Sequence, residues 1–131
     1  AGMVKAFNPD GYEVDHPMVP HGMSVILNTP AVVRFTAPSD PQRHLVAAQA
    51  LGADISGVPD DAAGDLLAER VIHFMKLTDM PNGLSAVGYE KSDIPALVKG
   101  TLPQHRVTKL SPIAAGEAEL TQLFEDSMVI Y

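Results

Sequence analysis

Residues 23–36 read MSVILNTPAVVRFT, a run in which nearly every position is apolar. A helix that is apolar on all sides is usually buried, so the run predicts a buried helix at the centre of the fold. Val and Ile also favour strands, and a buried strand is the alternative that the pattern leaves open. The length of the run favours the helix, and Pro30 predicts a kink because proline removes a helical hydrogen bond.

Helical spacing and helix-end residues recur outside this run. Asp40 and Pro41 are typical of a helix start, and Gly52 is typical of the position after a helix end. The clearest helix covers 60–78, with aspartates near its N-terminal end, where the helix dipole favours negative charge. Its predicted core face consists of Ala63, Leu66, Leu67, Val71, Phe74, and Leu77 or Thr78. Two further helices are predicted, one over 94–99 that is closed by Gly100 and one over 117–129, and a short element is predicted over 84–87. The predicted loops cover 1–20, 53–59 and 101–116.

Composition restricts the fold and the class of protein. No stretch is convincing as a strand, so the sequence predicts a single all-α domain over residues 1–131, with five or six helices. With 46% hydrophobic and 19% charged residues, the chain is too apolar for a disordered tail. It has no cysteine, which excludes disulfides, thiol nucleophiles and cysteine-ligated metals.

Charge and hydropathy argue against two kinds of partner. Nine Lys and Arg residues against sixteen Asp and Glu give a net charge of −7, so a nucleic-acid partner is not expected. A membrane partner is not expected either, because no apolar run reaches the roughly 20 residues that span a bilayer. The expected location is the cytoplasm.

Nucleotide-binding and nucleophile motifs are missing from the sequence. Residues 52–57 have the glycine spacing of a phosphate-binding loop, but Val58 and Pro59 follow where Lys and Ser or Thr would be needed. Neither GxGxxG nor GxSxG occurs. The sequence therefore indicates no catalytic nucleophile and no cofactor-binding residue.

The segment DHPMVPHG at 15–22 contains the histidines with the clearest potential to bind a metal. Prolines beside His16 and His21 stiffen the backbone, and Asp15 can orient a ring by accepting its N–H. His21 also lies where the predicted helix 23–36 begins, and the helix dipole there favours a neutral imidazole. The simpler interpretation is two loop histidines, because a catalytic metal commonly takes three protein ligands.

Other polar groups are given structural interpretations. His44 and His73 fall within predicted helices and are expected at the surface or at the edge of the core. Adjacent carboxylates do not face each other on a helix, so they are not expected to form an acid–base pair. A basic patch either holds an anion or is simply solvated; it comprises Lys99, His105, Arg106 and Lys109.

The run DHPMVPHGMSV at 15–25 resembles the iron-containing alcohol dehydrogenase family, most closely its hydroxyacid–oxoacid transhydrogenase branch. The likeness is strong again over DIPALVKGTLPQ at 93–104 and RVTKL at 106–110, and it extends over essentially the whole chain. It implies the multi-helix C-terminal domain of the dehydroquinate synthase-like fold. It also implies a Rossmann-like NAD(P) domain that is N-terminal to this chain and absent from it.

The resemblance also implies a site and a reaction. A divalent metal, Fe²⁺ or another such as Zn²⁺, lies between the two domains on one Asp and three His. His21 matches the last of these ligands, and His16 lies where it approaches the substrate. The metal polarises the oxygen of a small hydroxyacid or alcohol while hydride passes to NAD(P).

Two hypotheses follow from this resemblance, and the first is the favoured one. The chain is part of a homo-oligomeric dehydrogenase, located in the mitochondrial matrix if the source is eukaryotic, and by itself it is inactive and holds no cofactor tightly. The alternative is a free-standing helical module, descended from the family, that serves binding or oligomerisation.

Overall fold

The apolar run at 23–36 forms two helices in the computed structural model, which describes residues 4–131. The first, α1, spans His21–Ile26, and the second, α2, spans Thr29–Thr36. The helix breaks before Pro30, which lies in the first turn of α2, where the missing N–H of proline costs no hydrogen bond. The prediction of one helix kinked at this proline is therefore wrong, because the proline begins a new helix.

Five more α-helices and four 3-10 turns follow, and residues 4–131 contain no strand. The all-α fold class is confirmed for this part of the chain, with seven helices instead of five or six. None of these helices has the length and hydrophobicity needed to span a bilayer. The helices are α3 (Pro41–Ala50), α4 (Ala63–Leu77), α5 (Ile94–Thr101), α6 (His105–Thr108) and α7 (Glu117–Asp126), and the turns are Ala37–Ser39, Asp60–Ala62, Ser85–Val87 and Lys91–Asp93.

The predicted start and end of α3 are confirmed. The Asp40 side chain accepts a hydrogen bond from the Arg43 backbone N–H at 3.1 Å, and Gly52 follows the helix with φ +88°. Loop boundaries were predicted less well. Gly100 lies inside α5, α6 lies within the predicted loop 101–116, and α7 ends at Asp126, before the predicted end. Residues 4–20 contain no helix or strand, as predicted, and residues 1–3 of that loop lie outside the described part.

The core forms where α4 packs against α2 and α3, and where α5 packs against α7. The α4 face turned inward is Ala63, Gly64, Leu67, Ala68, Val71 and Met75. Phe74 and Leu77 were predicted on that face, but their exposed fractions are 42% and 66%. The predicted burial of the 23–36 run is also incomplete, because Val25 and Val32 are exposed. The run is therefore amphipathic within this chain.

A glycine allows α2 and α4 to approach closely. A Cβ atom on Gly64 would lie 2.9 Å from the Ala37 Cβ and 3.1 Å from the Arg34 Cα. Both distances are shorter than ordinary carbon–carbon contacts, so a larger residue would separate the two helices. This close packing holds α2, and through it α1, against the body of the domain.

The last five residues are tied to the loop at 81–85. Leu84 N–H donates to the Ser127 carbonyl at 2.9 Å, and Ser85 N–H donates to the Met128 carbonyl at 3.0 Å. The Asn82 side-chain oxygen accepts from two backbone N–H groups, those of Ile130 and Tyr131, each at 2.8 Å. These bonds close the domain at the end of α7.

Candidate functional site

A pocket of about 510 Å³ opens where the segment 4–20 meets α1, α5 and α7. His16 lines it from the segment and His21 lines it from α1. Leu97 of α5 and Phe124 of α7 contribute apolar surface on other sides. The fold thus brings together, in one pocket, the two histidines that the sequence singled out.

His21 is the first residue of α1, directly after Pro20, whose ψ of 145° is extended. It is solvent-exposed, and none of the hydrogen bonds found within residues 4–131 uses its ring. The nearby Ser24 hydroxyl donates to the His21 backbone carbonyl at 2.8 Å, which fixes the first turn of the helix. The backbone of His21 is thus fixed by the first turn of α1, while its exposed ring has no hydrogen-bond partner among residues 4–131.

His16 lies at the base of a loop whose two ends are joined by a hydrogen bond. Met18 N–H donates to the Phe7 carbonyl at 2.8 Å, so the two ends of the loop formed by residues 7–18 lie side by side. The Asn8 amide, in the orientation that satisfies its neighbours, donates to the Phe7 carbonyl at 3.0 Å and to the His16 carbonyl at 3.1 Å. The Asp15 carboxylate accepts from His16 Nδ1 at 2.7 Å. The backbone and the ring of His16 are both constrained.

These histidines fit a metal only as part of a larger ligand set. No group of three or more His, Cys, Asp or Glu within residues 4–131 is arranged to hold a metal. A catalytic metal usually takes three protein ligands and keeps one open position. His21 has the chemistry of a ligand, and its side chain is exposed, but residues 4–131 alone do not supply the other ligands of such a site.

Tyr89 also lines this pocket, and no motif in the sequence pointed to it as a site residue. It follows Gly88, which has φ +95°, and its backbone N–H donates to the Leu84 carbonyl at 3.1 Å. Burial raises the pKa of the Tyr89 phenol, so the hydroxyl stays protonated at neutral pH. Only the folded chain brings this residue to the two histidines, because His16 and His21 are distant from it in sequence.

A sequence model described as the Fe-containing alcohol dehydrogenase family, C-terminal, matches residues 16–128. The chain belongs to the iron-containing alcohol dehydrogenase family. The match begins at His16 and includes His21, so both pocket histidines lie within the family segment. The pocket is therefore a feature of an alcohol dehydrogenase C-terminal region.

Relatives of this alcohol dehydrogenase segment are much longer than it is. The chain is 56% identical to hydroxyacid-oxoacid transhydrogenase, mitochondrial, from Xenopus tropicalis, and 53% identical to the protein of the same name from Homo sapiens. Each alignment covers 100% of this chain and 28% of the relative. The segment thus spans about a quarter of the length of these relatives.

A solved structure shares the fold of this segment. The crystal structure of 1,3-propanediol oxidoreductase matches with a TM-score of 0.76 over 83% of this chain and 28% of that one, at 20% sequence identity. The helical architecture is therefore that of an iron-type alcohol dehydrogenase C-terminal domain, as predicted.

The other sequence candidates of this alcohol dehydrogenase segment lie away from the pocket. The His44 ring contacts the Thr36 hydroxyl at 3.0 Å and the Asp40 carbonyl at 2.8 Å, which holds α2 and α3 together. The His73 ring is exposed and packs edge-on against Phe74, 5.4 Å between centroids. The four residues of the basic patch are all exposed, in agreement with a solvated surface: Lys99, His105, Arg106 and Lys109.

An ion pair fastens the pocket's N-terminal wall to α5. Lys5 Nζ donates to Asp93 Oδ1 at 2.6 Å. The hydrogen bond from Lys5 is the main reason that the pKa of Asp93 lies below its ordinary value of 3.8, and the hydrogen bond from the Glu90 backbone N–H is the second reason. The bond between Lys5 and Asp93 also raises the pKa of Lys5 above 10.5. Because the pKa of Asp93 is lower in the folded chain than in the unfolded chain, its ionisation stabilises the fold. This stabilisation is fully present above pH 3.8 and is lost as the pH falls through the pKa that Asp93 has in the folded chain.

Asp93→Asn is therefore expected to lower the melting temperature at pH 7. Asparagine retains an oxygen for the Glu90 N–H, which Asp93 Oδ2 accepts at 2.9 Å, so the change removes mainly the charge. The difference in melting temperature between wild type and variant is expected to shrink as the pH falls below 3.8, where Asp93 gains a proton. It is also expected to shrink above pH 10.5, where Lys5 loses its proton. Thermal unfolding of wild type and variant across this pH range measures the difference. A difference in melting temperature that does not change with pH would contradict a stabilising Lys5–Asp93 ion pair.

Proposed function

We propose that this chain is the C-terminal helical domain of an iron-dependent alcohol dehydrogenase that oxidises a small hydroxyacid or alcohol. The observation that carries the proposal is the position of His21, exposed at the start of α1 on the wall of a pocket of about 510 Å³. The names of the relatives support a hydroxyacid as donor and an oxoacid as acceptor of the hydride.

Within this proposal His21 is one of the ligands of Fe²⁺ or of another divalent metal such as Zn²⁺. When bound, the metal acts as a Lewis acid on the oxygen of the substrate. Apolar side chains such as Leu97 and Phe124 exclude water from the space beside it. Tyr89 lines the same pocket, and its phenol stays protonated at neutral pH because burial raises its pKa.

The remaining parts of the enzyme lie outside this chain in the proposal. A Rossmann-like domain N-terminal to it binds NAD(P) and supplies the other metal ligands. The length of the relatives, of which this chain spans 28%, leaves ample sequence for such a domain. The relatives' names also support a mitochondrial location, and we propose a homo-oligomer. The isolated chain is then inactive, because it lacks a nicotinamide site.

Removal of the metal tests the proposal in the full-length protein. Incubation with 4-hydroxybutyrate, NAD and an oxoacid is expected to oxidise the first and reduce the oxoacid, measured by chromatography of the two products. Dialysis against a chelator should abolish this activity, and Fe²⁺ should restore it, since the metal supplies several kcal/mol of charge stabilisation. Activity that survives complete metal removal would refute the metal-dependent mechanism. A native polypeptide of only 13.9 kDa would instead favour the free-standing helical module.

A further inference from the structure

The wall of the pocket at 4–20, α1, α5 and α7 carries no fixed charge. Among the described residues that line it there is no Lys, Arg, Asp or Glu. A carboxylate brought into such surroundings loses hydration and needs a donor, preferably a cationic one. His16 and His21 are the lining side chains that can carry a positive charge, and the proposed function uses His21 for the metal.

His16 is held in place without being buried. Its side chain is 69% exposed, so no core packing fixes it. Asp15 nevertheless holds Nδ1 at 2.7 Å, Asn8 holds the backbone carbonyl at 3.1 Å, and Pro17 restricts the backbone on the other side. These constraints orient the ring and leave Nε2 as the nitrogen available to a ligand.

We propose that His16 is the substrate-binding residue that recognises the carboxylate of the hydroxyacid at this pocket. The inference rests on the proposed function. As an imidazolium the ring donates from both nitrogens, Nδ1–H to Asp15 and Nε2–H to the substrate. His16 would then bind the carboxylate end of the molecule, at the opposite end from the hydroxyl that is oxidised.

The selectivity between an acid and an uncharged alcohol of equal length tests this role. We measure kcat/KM of the full-length enzyme for 4-hydroxybutyrate and for butan-1-ol. His16→Asn is expected to lower the ratio of the two values about 10- to 100-fold, the effect of losing one charge-assisted hydrogen bond. His16→Arg restores a cationic donor and is expected to recover most of the ratio. His73→Asn, an exposed histidine outside the pocket, is the matched control and should leave the ratio unchanged.

Several results would overturn the inference. An unchanged ratio in His16→Asn, or an equal loss on both substrates, shows that the residue does not read the carboxylate. Loss of metal from this variant, measured by elemental analysis, shows that His16 is a ligand instead. If wild-type turnover of butan-1-ol is too slow to measure, His16→Asn must raise KM for 4-hydroxybutyrate with kcat retained, and His16→Arg must reverse that rise.

Failure of the proposed function is distinguishable from failure of this inference. A metal-loaded wild-type enzyme that oxidises neither substrate overturns both. A wild-type enzyme that oxidises butan-1-ol alone overturns the inference and the hydroxyacid assignment, and leaves the alcohol dehydrogenase assignment standing. A wild-type enzyme that oxidises both, with His16→Asn behaving as wild type, overturns the inference alone.

Discussion

His21→Ala in the full-length enzyme is expected to lose the metal and the dehydrogenase activity together. Under the proposed function the imidazole is one of few protein ligands, and it stands at the start of α1 with no other partner for its ring within residues 4–131. Loss of an outer-shell partner alone costs about 10- to 100-fold in metal affinity, so loss of a ligand should cost about 100-fold or more. Metal content by elemental analysis and turnover on 4-hydroxybutyrate are the two measurements.

His105→Ala is the control for this variant. His105 is exposed and begins α6, and it does not line the pocket. Its substitution should leave both metal content and turnover at the wild-type level. Thermal unfolding of both variants separates a local loss of metal from general unfolding. Wild-type turnover with bound metal in His21→Ala would remove the basis of the proposed function.

Gly83→Ala is expected to destabilise the chain by more than about 3 kcal/mol, which is large for a single methyl group. Gly83 has φ +77°, where a side chain costs roughly 1–2 kcal/mol by itself. A Cβ there would also lie 2.5 Å from the Met128 carbonyl oxygen and 2.7 Å from that of Ser127. Both carbonyls accept backbone hydrogen bonds, so neither can move without breaking one. Calorimetry should show a melting temperature lower by roughly 10 °C or more.

Two other glycines separate the causes of this loss. Gly57 also has a positive φ, +72°, with nothing within 4 Å of a Cβ, so Gly57→Ala isolates the backbone cost of about 1–2 kcal/mol. Gly100 lies inside α5 in open space, and Gly100→Ala should stabilise the chain by about 0.5–1 kcal/mol. If Gly83→Ala cost no more than Gly57→Ala, the close contact with the chain end would be absent.

Local signals predicted those elements whose ends depend on local chemistry. Asp40 caps α3 through its own side chain, and Gly52 ends it with a left-handed backbone, so both are readable from the sequence. Tertiary packing decided the others. Phe74 and Leu77 lie at helical spacing from the core residues of α4, yet both are exposed in the folded chain. The four-residue α6 carries no end signal that distinguishes it from a loop.

The site was predicted by resemblance more than by physical pattern. The spacing of His16 and His21 alone favoured two loop histidines, and the family resemblance turned one of them into a candidate ligand. The pocket itself needed the structure, because Tyr89, Leu97 and Phe124 come to it from three separate elements. Sequence periodicity assigns such residues to a core and does not reveal that they surround a cavity.

The hydrogen bonds that tie residues 130 and 131 to Asn82 also affect how the domain is completed during synthesis. The partners are 48 and 49 residues apart in the chain. A ribosome therefore releases α2, α3 and α4, which can pack on one another, well before the loop at 81–85 can find its acceptors. Until then the backbone N–H groups of Leu84 and Ser85 must be satisfied by water. The nascent chain should remain sensitive to proteolysis at this loop until residues 127–131 have emerged.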